Sequence, residues 1–225
     1  MKKIAAVVLA MFAMSCQGSE KDPKAESMGK ITQQVKKGDL KMDNTKTETA
    51  IFAGGCFWCT EAFFTDLKGV EKVVSGYIGG ATVNPSYKDV CTGQTGHAEA
   101  IQITYNPNEV AYEDLLEIFF VTHDPTTLNR QGADVGTQYR SEIFYTTEAQ
   151  KKSAENFIKL LTDQNIFEGK KIVTAISAAS KFYPAEDYHQ DYYAQNGNQP
   201  YCRAVIAPKM DKLEKNYKSK LKVKQ

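Results

Sequence analysis

The sequence predicts an α+β fold, with helices packed in one layer against a mixed sheet. Three observations carry that expectation. Segments of alternating polarity and segments of helical period follow one another from residue 49 to residue 222. Hydrophobic residues make up 42% and aromatic residues 11% of the 225, enough for one core of ordinary size. The stretches 80–97, 123–140 and 179–207 carry little regular pattern but hold glycine, tyrosine, histidine and aspartate, the composition of long functional loops.

The elements follow in order. "TAIFAGG", closed by Gly54 and Gly55, reads as a strand. "CFWCTEAFFTDL" has helical spacing; Trp58, Ala62 and Phe63 are expected to share one buried face, whereas Phe57, Glu61 and Phe64 are not expected all to lie on one. "VEKVVSGYIGG" and "AEAIQITYNP" are two further strands, the second clearly alternating. "YEDLLEIFFVTH" is a helix presenting Leu115, Leu116, Phe119 and Phe120, and "SEIFYT" is a short strand. "TEAQKKSAENFIKLLTDQ" is a helix opened by Thr147 as N-cap, "KIVTAIS" a strand, and Lys209 to Lys222 a terminal helix. The first six elements form a βαββαβ order, the pattern of a ferredoxin-like core within a two-layer domain.

The N-terminus sets the compartment. Met1-Lys2-Lys3 is a basic start, and Ile4 to Met14 is an apolar run too short to span a bilayer. "AMSC" then places a small residue before Cys16, so residues 1–16 read as a lipoprotein-type signal with Cys16 lipidated; a plain secretory signal and a retained anchor are the alternatives. Residues 17–48 are polar and lack any aromatic, so they are expected to form a disordered tether. Residues 49–225 would be the catalytic domain, exported, facing the periplasm or the cell exterior, and monomeric. The net charge of +1 and the lack of a basic stripe give no reason to expect nucleic acid.

Cys56, Cys59, Cys91 and Cys202 remain after Cys16. Two structural disulfides are the plain reading for an exported chain. Cys56, however, directly follows two glycines at an expected helix start, where backbone N–H groups and the helix dipole stabilise a thiolate. The spacing Cys56-x-x-Cys59 also suits a thioredoxin-like site or half a zinc site. Zinc lacks a second tight pair among Cys91, His97 and Cys202, so no metal site is expected. A thioredoxin-like site has its tryptophan before the first cysteine, whereas Trp58 lies between the two. Phe57 and Trp58 beside a thiolate suit an apolar cup for a methyl-bearing substrate, although such aromatics are more often core.

Several blocks in order, "GGCFWCTEAFF", "SGYIGG", "NPSYKDVCTGQTGHAEAIQITYNP", "FFVTHDPTTLNRQGADVGTQYRS" and "FYPAEDYHQDYY", closely resemble peptide methionine sulfoxide reductase A over residues 50–207. The resemblance implies that Cys56 attacks the sulfur of a methionine S-sulfoxide, free or in proteins, and that Phe57 and Trp58 hold its methyl group. It makes Glu99 the acid that protonates the sulfoxide oxygen, Tyr87 and Tyr139 the hydroxyls that bind that oxygen, and Asp134 a carboxylate of the same pocket. His97 and His189 lie in matching blocks and are given structural roles.

The chemistry agrees with those residue types, because a sulfoxide oxygen leaves only as it gains a proton, which asks for an acid of raised pKa. Attack leaves Cys56 as a sulfenic acid, which condenses with a nearby thiol. The family commonly has glycine after the tryptophan and a further cysteine beyond the C-terminal one; this chain has Cys59 and nothing after Cys202. Cys202 alone or Cys59 first are both open, and a relay through both is the reading taken. Cys91 is read as a buried bystander. No bound cofactor is expected; the final disulfide would be reduced by an external dithiol, a thioredoxin-like protein or dithiothreitol. The rivals are a non-catalytic, peptide-binding lipoprotein with two disulfides and a thioredoxin-like oxidoreductase.

Overall fold

The computed structural model describes residues 22–36 and 47–223. Its first elements are α1 (Pro23–Lys36), β1 (Glu48–Gly54), α2 (Phe57–Thr65), β2 (Val70–Ile78), α3 (Tyr87–Cys91), β3 (Ala98–Tyr105) and α4 (Tyr112–Thr122). There follow β4 (Arg130–Gln131), β5 (Asp134–Val135), β6 (Ser141–Tyr145), α5 (Glu148–Asp163), β7 (Ala175–Ala178), β8 (Tyr183–Pro184), α6 (Tyr192–Asn196) and α7 (Ala207–Tyr217). Six strands form one sheet in the order β7-β6-β1-β3-β2-β8, in which only the β6–β7 pairing is parallel. The central four, β6-β1-β3-β2, have the strand order of a ferredoxin-like βαββαβ unit, and the α+β expectation holds.

β1 sits mid-sheet and is buried from Ala50 to Gly54, so it reads as a continuous apolar run rather than an alternating one. On one face Phe52 stacks on Phe119 of α4, with ring centroids 5.0 Å apart. On the other, Ile51 and Ala53 join Ile78, Ala98, Ala100 and Phe144 in a smaller cluster covered by Ala179 and Phe182. Thr147 caps α5 as expected, its side chain accepting the Gln150 N–H at 3.2 Å.

Three readings of local structure are corrected. The expected tether, residues 17–48, is helical over Pro23–Lys36. Met28, Ile31, Thr32 and Val35 are buried at positions i, i+3, i+4 and i+7, a narrow apolar stripe that the overall polarity of the segment concealed. Thr32 donates to Glu117 of α4 at 2.7 Å, and Lys36 pairs with Asp114. Cys16 and the rest of residues 1–21, with 37–46, lie outside the described residues.

In α2, Phe57, Glu61 and Phe64 are all buried together with Cys59, Thr60 and Phe63, while Trp58 and Ala62 are half-buried. Phe57, Glu61 and Phe64 stand at i, i+4 and i+7 and share the buried face, while the side bearing Trp58 and Ala62 is only partly covered, so the expected face is corrected. The strand expected at 171–177 is confined to Ala175–Ala178, because the Val173 N–H instead bonds the Pro125 carbonyl at 2.8 Å.

The three long loops hold short elements of their own: α3, then the β4–β5 hairpin, then β8, α6 and a π-helical turn at Cys202–Ile206.

Candidate active site

The site is built where β1 runs into α2. Gly55 turns the chain at φ +97°, and a Cβ there would lie 2.6 Å from the Gln131 side chain. Only glycine meets both conditions without strain. Cys56 follows as the N-cap of α2. The first free N–H of the helix, that of Phe57, donates to Glu99 Oε2 at 3.0 Å. The donor expected to stabilise a Cys56 thiolate is thus engaged by a carboxyl. The Cys56 thiol is pushed up from its ordinary range by its hydrogen bond to Cys59 and by burial, while that same bond holds Cys59 down. The expectation of a lowered Cys56 is corrected for this resting state.

Glu99 lies on β3, opposite Tyr77 of β2 in register, and is buried at 1% exposure. Burial raises its pKa to about 8, against the Phe57 N–H, which lowers it. A carboxyl in that condition is protonated at neutral pH and able to donate. Two half-buried tyrosines flank it. Tyr87 opens α3, where Ser86 and Asp89 form a capping box, and its hydroxyl is raised by burial and by a hydrogen bond to Cys91. Tyr139 lies in the turn Thr137–Tyr139; its hydroxyl is raised by burial first, then by the charges of Glu99 and Cys56.

Aromatic rings wall the other side. Phe57 packs near Tyr77 (5.9 Å between centroids), Tyr87 (6.4 Å) and His189 (5.1 Å). Trp58 stacks on Tyr192 at 3.6 Å and 6°, and its indole N–H donates to His189 Nδ1 at 3.0 Å. The Tyr201 ring meets Trp58 edge-on at 5.9 Å, and its hydroxyl donates to Asp134 Oδ2 at 3.0 Å. Asp134 therefore joins the site through Tyr201. Sequence reading did not single out Tyr192 or Tyr201, two among twelve tyrosines. His189, read as structural, sits within the wall, buried and with its pKa lowered by desolvation. His97 does have a structural place, accepting from the Gly80 N–H at 3.0 Å and bonding the Thr82 carbonyl at 2.8 Å.

The thiols divide three ways. Cys56 and Cys59 are one helical turn apart, a separation that suits a disulfide, and Cys59 Sγ lies 3.7 Å from the Tyr201 hydroxyl. Cys202, next to Tyr201, is fully buried in the π-helical turn rather than on a free loop. Cys91, expected to be buried, is exposed at the end of α3, because that helix faces solvent on its Cys91 side. All four are free thiols. Among the described residues no group of three metal-ligating side chains is arranged to hold an ion.

Comparison with known proteins points the same way. The family model for peptide methionine sulfoxide reductase matches residues 48–221. A peptide methionine sulfoxide reductase MsrA of Deinococcus radiodurans is 60% identical over 175 residues, 78% of this chain and 84% of that relative. One of Chromobacterium violaceum is 55% identical over 170 residues, 76% of this chain and 96% of the relative. Among solved structures, reduced Mxr1 of Saccharomyces cerevisiae has a TM-score of 0.62 at 36% identity, covering 72% of this chain and 92% of its own. Methionine sulfoxide reductase A of Corynebacterium diphtheriae has 0.60 at 33%, covering 71% and 79%.

Proposed function

The chain belongs to the peptide methionine sulfoxide reductase family, an enzyme family that reduces methionine sulfoxide with thiols, and from that premise we propose a division of labour among its site residues. Cys56 is the nucleophile and attacks the sulfur of the S epimer. Glu99 delivers its proton to the sulfoxide oxygen, and the hydroxyls of Tyr87 and Tyr139 hold that oxygen as charge develops on it. Phe57 and Trp58, with Tyr192 behind the indole, take the methyl group. The S–O bond of the substrate then breaks, and the oxygen passes to the Cys56 sulfur as its hydroxyl. The bond formed in the attack breaks to release methionine, and the Cys56 thiol proton replaces the one Glu99 gave up, leaving Cys56 as a sulfenic acid.

The observation that carries this reading is the pairing of Glu99 with the start of α2: a buried carboxyl, raised to about 8, bonded to the residue that follows the thiol. Cys59 then condenses with the sulfenic acid, forming the Cys56–Cys59 disulfide and releasing water. Its contact with Cys56 and the burial of Cys202 support that order. Cys202 accepts the disulfide next, which requires the Tyr201 turn to move. A thioredoxin-like dithiol protein reduces the last bond. Asp134 acts on the pocket through Tyr201.

Residues 1–16 direct export, Cys16 carries lipid, and a monomeric catalytic domain beginning near residue 49 repairs accessible oxidised proteins outside the inner membrane. The lipoprotein-type signal in the sequence supports this location. Mass spectrometry of the N-terminal peptide from cells tests it; an unmodified Cys16 would reject the anchor.

The enzymatic test supplies both epimers of N-acetyl methionine sulfoxide with dithiothreitol, then maps the disulfide after one turnover without reductant. Reduction of the S epimer alone, with Cys56 bridged, is expected, and Cys56→Ser should abolish it. Methionine release by Cys56→Ser would remove Cys56 from the nucleophile role.

A further inference from the structure

One segment, residues 182–192, fastens both walls of the pocket to the sheet. It contains β8, which pairs with β2, and the turn Asp187–His189. Gln190 takes the place of a further strand partner. Its Oε1 accepts the Ser75 N–H at 3.0 Å, while Nε2 donates to the carbonyls of Ser75 (3.0 Å) and Ala185 (2.9 Å). Glu186 accepts from the Tyr77 hydroxyl and from the backbone N–H of Tyr87, both at 2.8 Å. Glu61, one turn along α2 from Trp58 and 2% exposed, accepts the backbone N–H of Tyr192 through Oε2 at 3.3 Å and draws on the Asp191 N–H as well.

The two carboxylates hold different things. The Tyr87 N–H is the first orphan donor of α3, and Glu186 satisfies it. Beside the Ser86–Asp89 capping box, that contact ties the first turn of α3 to residues 182–192, and so the Tyr87 ring to its place beside Phe57 and His189. The Tyr192 N–H fixes the start of α6, whose first side chain is the ring stacked on Trp58. Asp191 just before it stands at φ +50°, a left-handed conformation that persists only where neighbours over-determine it. Gln190 on one side and Glu61 on the other supply that constraint.

We propose that Glu186 and Glu61 are positioning residues for the two halves of the pocket, Glu186 for the oxygen side through Tyr87 and Glu61 for the methyl side through Tyr192 and Trp58. The inference rests on the roles proposed above for Tyr87 and Trp58. The two halves serve different stages of the reaction. Contacts to the sulfoxide oxygen strengthen as charge develops there, so disturbing them lowers kcat. Contacts to the methyl group are equal in the ground and transition states, so disturbing them raises KM. A merely structural role for either carboxylate predicts no such division.

The test measures kcat and KM for N-acetyl methionine S-sulfoxide in Glu186→Ala, Glu186→Gln, Glu61→Ala and Glu61→Gln. Rates are normalised to the methionine formed in one turnover without reductant, which counts competent molecules and separates folding losses from kinetics. Glu186→Ala is expected to lower kcat by about 10- to 100-fold with KM within about 2-fold. Glu61→Ala is expected to raise KM by about 5- to 10-fold with kcat within about 3-fold. Each glutamine variant keeps an accepting oxygen and should recover most of the loss. Tyr87→Phe and Trp58→Phe run in the same series. If those two change the kinetics while the alanine variants show normal constants per competent molecule, or the same split at both positions, the positioning inference is overturned alone. If Tyr87→Phe and Trp58→Phe leave kcat and KM unchanged, the underlying roles are wrong and the inference falls with them.

Discussion

Replacing Glu99 with glutamine should make the protein more stable and the enzyme slower, with the first effect growing as pH rises. Glu99 ionises near 8 in the native state, whereas the same carboxyl in an unfolded chain ionises near 4.5. Its folded pKa is raised, so the native state keeps a proton that the unfolded state gives up. The associated stability is fully present below about 4.5 and is lost as pH rises toward about 8. At pH 7 the loss is about 3 kcal/mol, set by the gap between those two values. Glutamine does not titrate and retains an oxygen for the Phe57 N–H, so Glu99→Gln should recover much of that loss at pH 7 and little at pH 4.5. Urea unfolding of both proteins at pH 4.5, 6, 7 and 8 measures it. The same variant, in single turnover, should release methionine about 100-fold or more slowly, the usual contribution of a general acid. A stability difference flat with pH would refute the raised carboxyl, and an unchanged single-turnover rate would remove Glu99 as the acid.

Cys59→Ala should let the Cys56 sulfenic acid accumulate after one turnover, where a sulfenic-acid-specific trap captures it; rapid formation of a Cys56–Cys202 bond instead would make Cys202 the first resolving thiol. Ile31→Ala removes a fully buried side chain of α1 and should destabilise by about 2–4 kcal/mol in urea unfolding; a loss under about 1 kcal/mol would mean that α1 unfolds separately from the domain. Gly55→Ala places a Cβ against Gln131 at φ +97° and should destabilise by about 1–3 kcal/mol while displacing Cys56. Near-native turnover by that variant would show that the turn before Cys56 tolerates side chains.

Much of the fold was legible because its signals are local. β3 alternates, α4 and α5 have helical period, and Thr147 stands where a cap is needed; each can be read from a window of a few residues. What escaped depended on partners far along the chain. α1 was read as tether because polar residues outnumber its four-residue stripe, and the stripe gains meaning only once α4 offers a surface to bury it. The buried face of α2 was placed on the Trp58 and Ala62 side, although Phe57, Glu61 and Phe64 at i, i+4 and i+7 share a face, and that is the face the packed chain buries. Cys91 was assigned to the interior from residue type alone, although the helix that carries it faces solvent there.

The sequence by itself determined the inventory and the family: a cysteine after two glycines, a glutamate in "GHAE", tyrosines in "PSY" and "GTQYRS", and the order of strands and helices around them. Those are one-dimensional facts, carried by spacing and by blocks of matching residues. Only the tertiary structure decided the charge state of the parts and which of the remaining side chains join them. Glu99 is protonated because the sheet buries it, and the Cys56 thiol is raised because it is hydrogen-bonded to Cys59 and buried, with the helix N–H beside it engaged by that same glutamate. Tyr192, Tyr201 and His189 reach Trp58 from more than a hundred residues away, brought there by the folding of residues 182–202 over α2. Burial and long-range contact are properties of the packed chain, and no window of sequence contains them.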